Sequence, residues 1–148
     1  FALKDINDWA VVKQKFIASA AAATATGTAT PILEIDAVMT LEQADWALVD
    51  DLEKFEPFGE KNGRPRFGLQ RVPVEGVEPL GRDGRHLKLL LKQANGVVRK
   101  LVAFGSTADF HHLKRGDLVD VVVELGINEW NGNRELQLKV VDVRQSTD

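Results

Sequence analysis

The 148-residue chain contains no cysteine, so a disulfide framework, a thiolate nucleophile and a cysteine-based zinc site are all excluded. It also has no run of about 18 apolar residues, the length that a membrane-spanning helix requires. A secretory signal pattern is missing as well. We therefore expect no membrane partner, and these absences are consistent with a cytoplasmic location. Because 44% of the residues are hydrophobic and 28% are charged, the composition is that of a globular protein.

Recognisable catalytic motifs are also missing. The chain has no phosphate-binding glycine loop, no nucleophile elbow and no set of Ser, His and Asp residues that could form a triad. His111 and His112 are adjacent, so they cannot share one helix face as a metal-binding pair does, and Asp109 is the one carboxylate at a ligand-like spacing from them. Asp50 and Asp51 fit a solvated helix face. The sequence therefore predicts no catalytic residue, no metal site and no cofactor in this chain.

The charges are divided into three blocks, which the net charge of −3 conceals. Residues 1–60 contain four Lys and eleven Asp or Glu, a net charge of −7. Residues 61–115 contain twelve Lys or Arg and four acids, a net charge of +8, and residues 116–148 return to −4. A concentrated basic segment is what a polyanionic partner requires. The alternative is that these cations pair with the flanking acids once the chain folds.

The first 56 residues favour a helix, a strand and a second helix. Apolar residues at helical spacing predict a helix over residues 5–24, which fades into a low-complexity Ala/Thr run ending at residue 30. Alternation over residues 32–39 predicts a strand. Thr40 and Gln43 form a capping-box pattern that opens the second helix, whose apolar positions are Leu41, Ala44, Leu48, Leu52 and Phe55. Because the chain begins with Phe1 inside a helical pattern, we expect it to be part of a longer polypeptide.

The Pro- and Gly-rich segment 57–65 marks a predicted linker, and residues 66–148 favour strands. A long strand with irregularities at Pro73 and Gly76 is followed by strands over "HLKLLLK" and "VVRKLVAF", a short helical turn in "STADFHHLKRGD", and a hairpin through "NGN". Three strands, a short helix and two strands are the order of an OB-fold, a five-stranded Greek-key barrel. The fold class is therefore predicted to be mainly β, with an α+β segment of one strand and two helices before the barrel.

Two loops of this predicted barrel contain arginine. In an OB-fold, the loops between strands 1 and 2 and between strands 4 and 5 bind oligonucleotides. Here the first loop, "PLGRDGR", contains Arg82 and Arg85, and the second, "EWNGNR", contains Trp130 and Arg134. Trp130 is a candidate for stacking on a base, which is worth roughly 1 to 3 kcal/mol. The alternative is that its ring covers the end of the barrel and donates its N–H to a backbone carbonyl.

His86 opens the second strand beside Arg85, where it could touch a phosphate or cap the turn. Basic side chains of the strands and of the linker complete the candidate interface, because Lys and Arg follow the phosphates of a single strand. The predicted nucleic-acid-binding residues are Arg64, Arg66, Arg82, Arg85, His86, Lys88, Arg99, Trp130 and Arg134.

Four segments in this order resemble the C-terminal part of the RecJ family of single-strand-specific DNA exonucleases: "LEKFEPFGEKNGRPRF", "GRDGRHLKLLL", "VAFG" and "GDLVDVVVELGINEWNGNRELQLKVVDVR". The resemblance covers roughly residues 30–144. It implies that residues 1–56 are the end of a DHHA1 domain and that residues 66–148 are the OB domain that grips single-stranded DNA. Family members typically have Gly-Asn-Pro after "EPFG" and one residue, whereas here Lys61, Asn62 and Gly63 stand there and the proline is displaced to Pro65.

The resemblance also implies a nuclease core before this chain. That core would hydrolyse DNA from its 5′ end with two Mn or Mg ions and act in DNA repair and recombination. The "DFHH" at residues 109–112 is not the motif of that core, because it lacks the acidic partners of a two-metal site. The chain itself is then a non-catalytic fragment that binds single-stranded DNA. The alternative is a protein-interaction module that docks the nuclease core or a single-strand-binding protein.

Overall fold

The computed structural model describes residues 32–105 and 110–147. The predicted first helix, the Ala/Thr run and the start of the predicted turn after the third barrel strand lie outside the described residues. Within these residues the following elements are assigned in chain order: β1 Ala37–Val38, α1 Trp46–Glu53, β2 Arg66–Leu80, β3 His86–Lys92, β4 Val98–Phe104, β5 Leu118–Trp130 and β6 Asn133–Gln145. Helix α1 has eight residues, and none of the helices in this part of the chain is long and apolar enough to cross a membrane.

Strands β2 to β6 close into a barrel in the order β2-β3-β4-β6-β5, with β5 returning to pair with β2. The β4–β6 pair is parallel, and the other four barrel pairs are antiparallel. Strand β2 pairs with β5 through its first half and with β3 through its second half, and its register shifts between Leu69 and Val72 and between Val74 and Gly76. These bulges let one strand serve both neighbours. The predicted five-stranded OB-fold, with its irregular first strand, is confirmed.

The barrel core is built by the inward side chains of alternating strand positions. One fully buried leucine comes from each barrel strand, and each burial stabilises the fold by roughly 1.5 to 3 kcal/mol. These five residues are Leu69, Leu91, Leu101, Leu125 and Leu138. Among the described residues, no polar or charged side chain is buried and no buried side-chain N or O atom lacks a hydrogen-bond partner. All specific polar chemistry of this part of the chain is therefore on the surface.

The segment before β2 packs on one end of the barrel. Strand β1 pairs in parallel with the start of β2, and Leu41 and Ala44 are fully buried in the barrel core. The backbone N–H of Leu41 donates to Gln93 Oε1 at 3.0 Å, and Arg99 Nε donates to the carbonyl oxygen of Ala44 at 3.0 Å. The segment thus covers the barrel end that contains the β3–β4 loop. The division into residues 1–56, 57–65 and 66–148 stays a prediction.

Helix α1 begins later than the sequence pattern indicates. The capping-box hydrogen bonds between Thr40 and Gln43 are present at 2.9 and 3.4 Å, but they close a turn. The helix starts at Trp46, after Asp45, whose side chain accepts a hydrogen bond from the N–H of Leu48 at 2.9 Å. The reason is tertiary, because insertion of the intervening apolar residues into the barrel end replaces a first helical turn. The predicted strand over residues 32–39 is likewise reduced to the two residues of β1.

Candidate nucleic-acid interface

The outward side chains of β3 and β4 form a positively charged surface. Leu87, Leu89 and Leu91 of β3 are buried, so the alternate positions of that strand face outward. These outward positions of β3 are His86, Lys88, Leu90 and Lys92. Their register partners on β4 are Phe104, Val102, Lys100 and Val98, in that order, and Lys139 of β6 lies beside Val102. We call this surface the basic face and define it by His86, Lys88, Leu90, Lys92, Val98, Lys100, Phe104 and Lys139, which surround the buried Val102.

The basic face lies on a stretch of sequence without acids. No Asp or Glu occurs between Gly84 and Ala108, whereas five Lys or Arg residues do. In the part of the chain that the structure describes, acids pair with cations of the face from the neighbouring strands. Glu78 of β2 pairs with Lys88, and Glu135 of β6 accepts a hydrogen bond from Lys100 Nζ at 2.6 Å. Such partly exposed pairs contribute only about 0 to 1 kcal/mol, so a phosphate can displace the carboxylate.

Three cations at this surface have no carboxylate within ion-pair distance anywhere in residues 32–105 and 110–147. They are Arg82, Lys92 and Lys139. Arg85 Nε lies 3.6 Å from Asp83 Oδ2 within the β2–β3 loop, residues 81–85, and both side chains are well exposed. The alternative that the basic segment is neutralised by flanking acids therefore holds for some of its cations and not for others.

A row of three outward side chains lies next to the β2–β3 loop. Leu80, His86 and Phe104 are register partners on β2, β3 and β4. The His86 and Phe104 rings meet edge to face, with centroids 5.2 Å apart and an interplanar angle of 69°. His86 Nδ1 accepts a hydrogen bond from the N–H of Gly105 at 3.2 Å. This hydrogen bond caps the turn after β4, and a phosphate contact by His86 stays a prediction.

Trp130 lies at the tip of the β5–β6 hairpin. Asn131 and Gly132 have φ angles of 51° and 77°, the left-handed conformations that a two-residue type I′ turn requires. The Trp130 side chain is 73% exposed, so its ring does not cover the end of the barrel. By alternation it shares the outer side of β5 with Gly126 and Asn128. The tip lies beyond the β3–β4 loop, at the opposite end of the barrel from the β2–β3 loop.

Arg134 belongs to the other side of the same hairpin. Its guanidinium carbon lies 5.9 Å from the centroid of the Trp46 ring, and its Nη2 lies 3.8 Å from Glu53 Oε1. Both partners are on α1. Arg134 therefore links the hairpin tip to α1, away from Trp130.

The remaining predicted arginines contact other parts of the protein. Arg64 Nη1 donates to the carbonyl oxygen of Leu125 at 3.0 Å, and Arg66 Nε lies 3.3 Å from Glu124 Oε1, so both lie against the outer side of β5. A Cβ at Gly126 would lie only 3.3 Å from Arg64 Nη1, which shows how closely that side chain approaches the strand. Arg99 occupies an inward-facing position of β4 and donates hydrogen bonds to two backbone carbonyl groups.

The structure therefore unites four of the nine predicted residues, Arg82, Arg85, His86 and Lys88, at one end of the basic face, and Trp130 lies beyond its other end. Sequence reasoning did not identify four further members of the face: Lys92, Lys100, Phe104 and Lys139. The signal that could have found the first three is the acid-free stretch combined with strand alternation. Lys139 follows only from the parallel β4–β6 pairing.

A second surface has the opposite charge. Residues 42–60 contain seven acids and one lysine. Within it Trp46 and Phe55 are exposed, Phe55 to 65%. A hydrogen bond from Lys54 lowers the pKa of Asp51, and the same carboxylate raises the pKa of Lys54. We call residues 42–60 the acidic segment.

No group of three or more His, Asp or Glu side chains in the described residues could hold a metal ion. His111 and His112 are both exposed. The described surface offers charged side chains and exposed aromatic rings.

A family model, a curated relative and two solved structures are all RecJ proteins. A family model described as the RecJ OB domain matches residues 35–142. The single-stranded-DNA-specific exonuclease RecJ of Bacillus subtilis (strain 168) is 25% identical over 116 residues, which are 78% of this chain and 15% of that protein. The crystal structure of Thermus thermophilus RecJ in complex with Mn²⁺ matches with a TM-score of 0.59 at 25% identity, over 91% of this chain and 19% of that one. The Mg²⁺ complex of that RecJ has the same TM-score and identity.

The chain thus spans a fifth or less of the length of these relatives. The family match begins at residue 35, so it includes the segment that packs on the barrel end before β2. Since this match covers well over half of the 148 residues, the chain belongs to the RecJ OB domain family.

Proposed function

We propose that this chain is the single-stranded-DNA-binding OB domain of a RecJ-like exonuclease. The observation that supports the proposal most is the basic face, which extends from the arginines of the β2–β3 loop toward the exposed ring of Trp130. Cations that follow phosphates, together with aromatic rings that stack on bases, are the two components of sequence-independent single-strand binding. Duplex DNA keeps its bases stacked inside, so exposed rings favour the single strand.

Within this proposal the predicted residues have different roles. Arg82, Arg85 and Lys88, together with the cations of the basic face, contact phosphates, and Trp130 stacks on a base. Arg64 and Arg66 lie on the outer side of β5, where a strand passing Trp130 could reach them. Arg99 and Arg134 hold the barrel end and the hairpin tip, so we assign them no phosphate.

The proposal extends to the parent protein. The family resemblance and the RecJ relatives support a longer chain whose nuclease core digests single strands from the 5′ end with Mn or Mg, in DNA repair and recombination. The described residues of this chain would hold the strand and take no part in hydrolysis. Residues that precede the OB domain would belong to a DHHA1 domain. The packing of residues 36–53 on the barrel, with the family match from residue 35, supports an OB domain that begins near residue 35.

The test is fluorescence anisotropy of a labelled oligo-dT titrated with the chain at several salt concentrations, without added metal. A duplex of equal length is the control. We expect binding to the single strand that weakens steeply with salt, because phosphate contacts release counterions. No binding at low salt, or equal binding to the duplex, would refute the proposal.

A second candidate function is protein docking, which the acidic segment favours. Exposed Trp46 and Phe55 among seven acids would suit a partner surface with basic and apolar side chains, such as the nuclease core or a single-strand-binding protein. Binding of the chain to such a protein that is lost when Trp46 and Phe55 are both replaced by Ser would support this function.

A further inference from the structure

We propose that Phe104, with His86 and Leu80 beside it, is a stacking platform for one nucleobase of the bound strand. This inference rests on the proposed function and adds a second base-binding position to Trp130. It also gives His86 a new role, since its Nδ1 bonds the backbone of Gly105 and the ring supports the platform.

Phe104 is an aromatic residue that the barrel core does not use. It is 44% exposed, whereas its neighbours Val102 and Ala103 on the same strand are 5% and 4% exposed. The inward positions around it are already filled by Leu87, Leu101 and Ala103. The edge-to-face contact with His86 orients the two rings and leaves part of their surface open to solvent.

The position of His86 is fixed from two sides. The Gly105 N–H donates to its Nδ1, and a Cβ at Gly81 would lie 3.6 Å from its Cδ2. Gly81 has a φ of +89°, so the loop turns sharply here without a side chain above the His86 ring. A platform that is ordered before binding costs less entropy when the ligand arrives.

Charge complementarity favours a nucleobase as the occupant. Arg82 and Arg85 lie in the loop that leads into His86, and Lys88 follows two positions later on the same side of β3. A base that stacks on Phe104 would therefore have cations on both sides for its own phosphate and the next one. An apolar patch built to dock a protein would not need this arrangement of positive charge.

The two stacking positions set an approximate strand length. Val102 on β4 pairs with Lys139 on β6. Phe104 lies two residues beyond Val102 toward the β2–β3 loop, and Asn133, the register partner of Trp130, lies six residues from Lys139 in the opposite direction. Eight residues at about 3.3 Å each separate the positions by about 26 Å along the strands. A stacked strand advances about 3.4 Å per nucleotide, so both positions are reached with roughly eight nucleotides or fewer.

The test compares Phe104→Leu with the unaltered chain on two 12-mers, oligo-dT and an abasic oligonucleotide with the same number of phosphates. We expect the substitution to weaken oligo-dT binding roughly 5- to 150-fold, the equivalent of one stacked base, and to leave abasic binding unchanged. Phe55→Leu, which removes an exposed ring from the acidic segment, should change neither. Phe104→Trp should keep the oligo-dT affinity within about twofold, because indole stacks at least as well as phenyl.

The outcomes separate the two proposals. If the unaltered chain fails to bind oligo-dT, the proposed function is refuted and the platform with it. If the unaltered chain binds and Phe104→Leu binds oligo-dT equally well, only the platform is refuted. Equal losses on oligo-dT and on the abasic strand would also refute it, since they would show a structural role. Failure of Phe104→Trp to retain binding decides against the platform even if Phe104→Leu does not fold.

Discussion

Replacing Glu135 with Gln should strengthen single-stranded-DNA binding. Glu135 accepts a hydrogen bond from Lys100 Nζ at 2.6 Å, and both side chains are about half exposed. The pair therefore contributes only about 0 to 1 kcal/mol to folding, so its loss should leave the protein folded. Without the carboxylate, a phosphate no longer competes with Glu135 for the Lys100 ammonium on the basic face.

The size of the effect follows from counterion release. Each phosphate contact on a single strand contributes about 0.7 to the slope of log affinity against log salt. If the contact adds no other free energy at 1 M salt, it is worth about 0.7 log units, or fivefold in affinity, at 0.1 M salt. We therefore expect Glu135→Gln to bind oligo-dT up to about fivefold more tightly at 0.1 M salt and to show a steeper slope.

The assay is an anisotropy titration at four salt concentrations, and Glu53→Gln is the matched control. Glu53, on α1, pairs with Arg134 of β6, so this substitution removes the same charge at a site away from the basic face. An equal gain for both variants would show that only net charge matters. If Glu135→Gln changes neither affinity nor slope, the Glu135 carboxylate does not compete with DNA for Lys100, and this reasoning is refuted.

Three further predictions concern the loop cations, the hairpin ring and the barrel end. Arg85→Glu combined with Lys88→Glu should weaken binding and flatten the salt slope by about 1.4, and an unchanged slope would remove both residues from the interface. Trp130→Ala should cost roughly 1 to 3 kcal/mol of binding free energy with the slope intact, and a changed slope would contradict a stacking role. Leu41→Ala should lower the free energy of unfolding by about 2 to 5 kcal/mol in urea titrations, because this fully buried side chain fills the barrel end. Ile32→Ala, at a position that is 83% exposed, is its control, and equal small losses for both would show that residues 36–53 are not part of the barrel core.

The sequence was sufficient for the barrel because local signals agreed with the overall topology. The Asn131-Gly132 pair specifies a type I′ turn by itself, and the alternation in β3 fixes which of its side chains are buried. The register shift between Val74 and Gly76 lies at the predicted irregularity of Gly76, whereas the shift between Leu69 and Val72 precedes Pro73, which itself pairs regularly with Leu118. The start of α1 could not be predicted, because burial of Leu41 and Ala44 in the barrel end outweighs the capping box that precedes them.

The candidate site was harder to predict because it depends on which of the alternating positions of each strand face outward. Arg99 and Lys100 are adjacent and both basic, yet Arg99 holds the barrel end while Lys100 lies on the basic face. Only the pairing of β3 with β4 determines which of the two faces outward. Phe104 was missed for a related reason, since an aromatic residue at the end of an apolar strand favours burial unless its register is known.

The hairpin tip shows how a chain with a net charge of −3 can present a site for DNA. Trp130 and Arg134 are close in sequence, but they occupy opposite sides of the hairpin, and Arg134 contacts the helix of the acidic segment. The hairpin tip therefore has the exposed ring of Trp130 on one side and a contact with the acidic segment on the other. At about 0.1 M salt the Debye length is about 10 Å, so acids farther than that from the basic face are largely screened from a bound strand. At lower salt their repulsion reaches farther and opposes the gain from phosphate contacts. Acids of the acidic segment should therefore reduce binding mainly at low salt, whereas Glu78 and Glu135, which touch the cations of the basic face, should reduce it at every salt concentration.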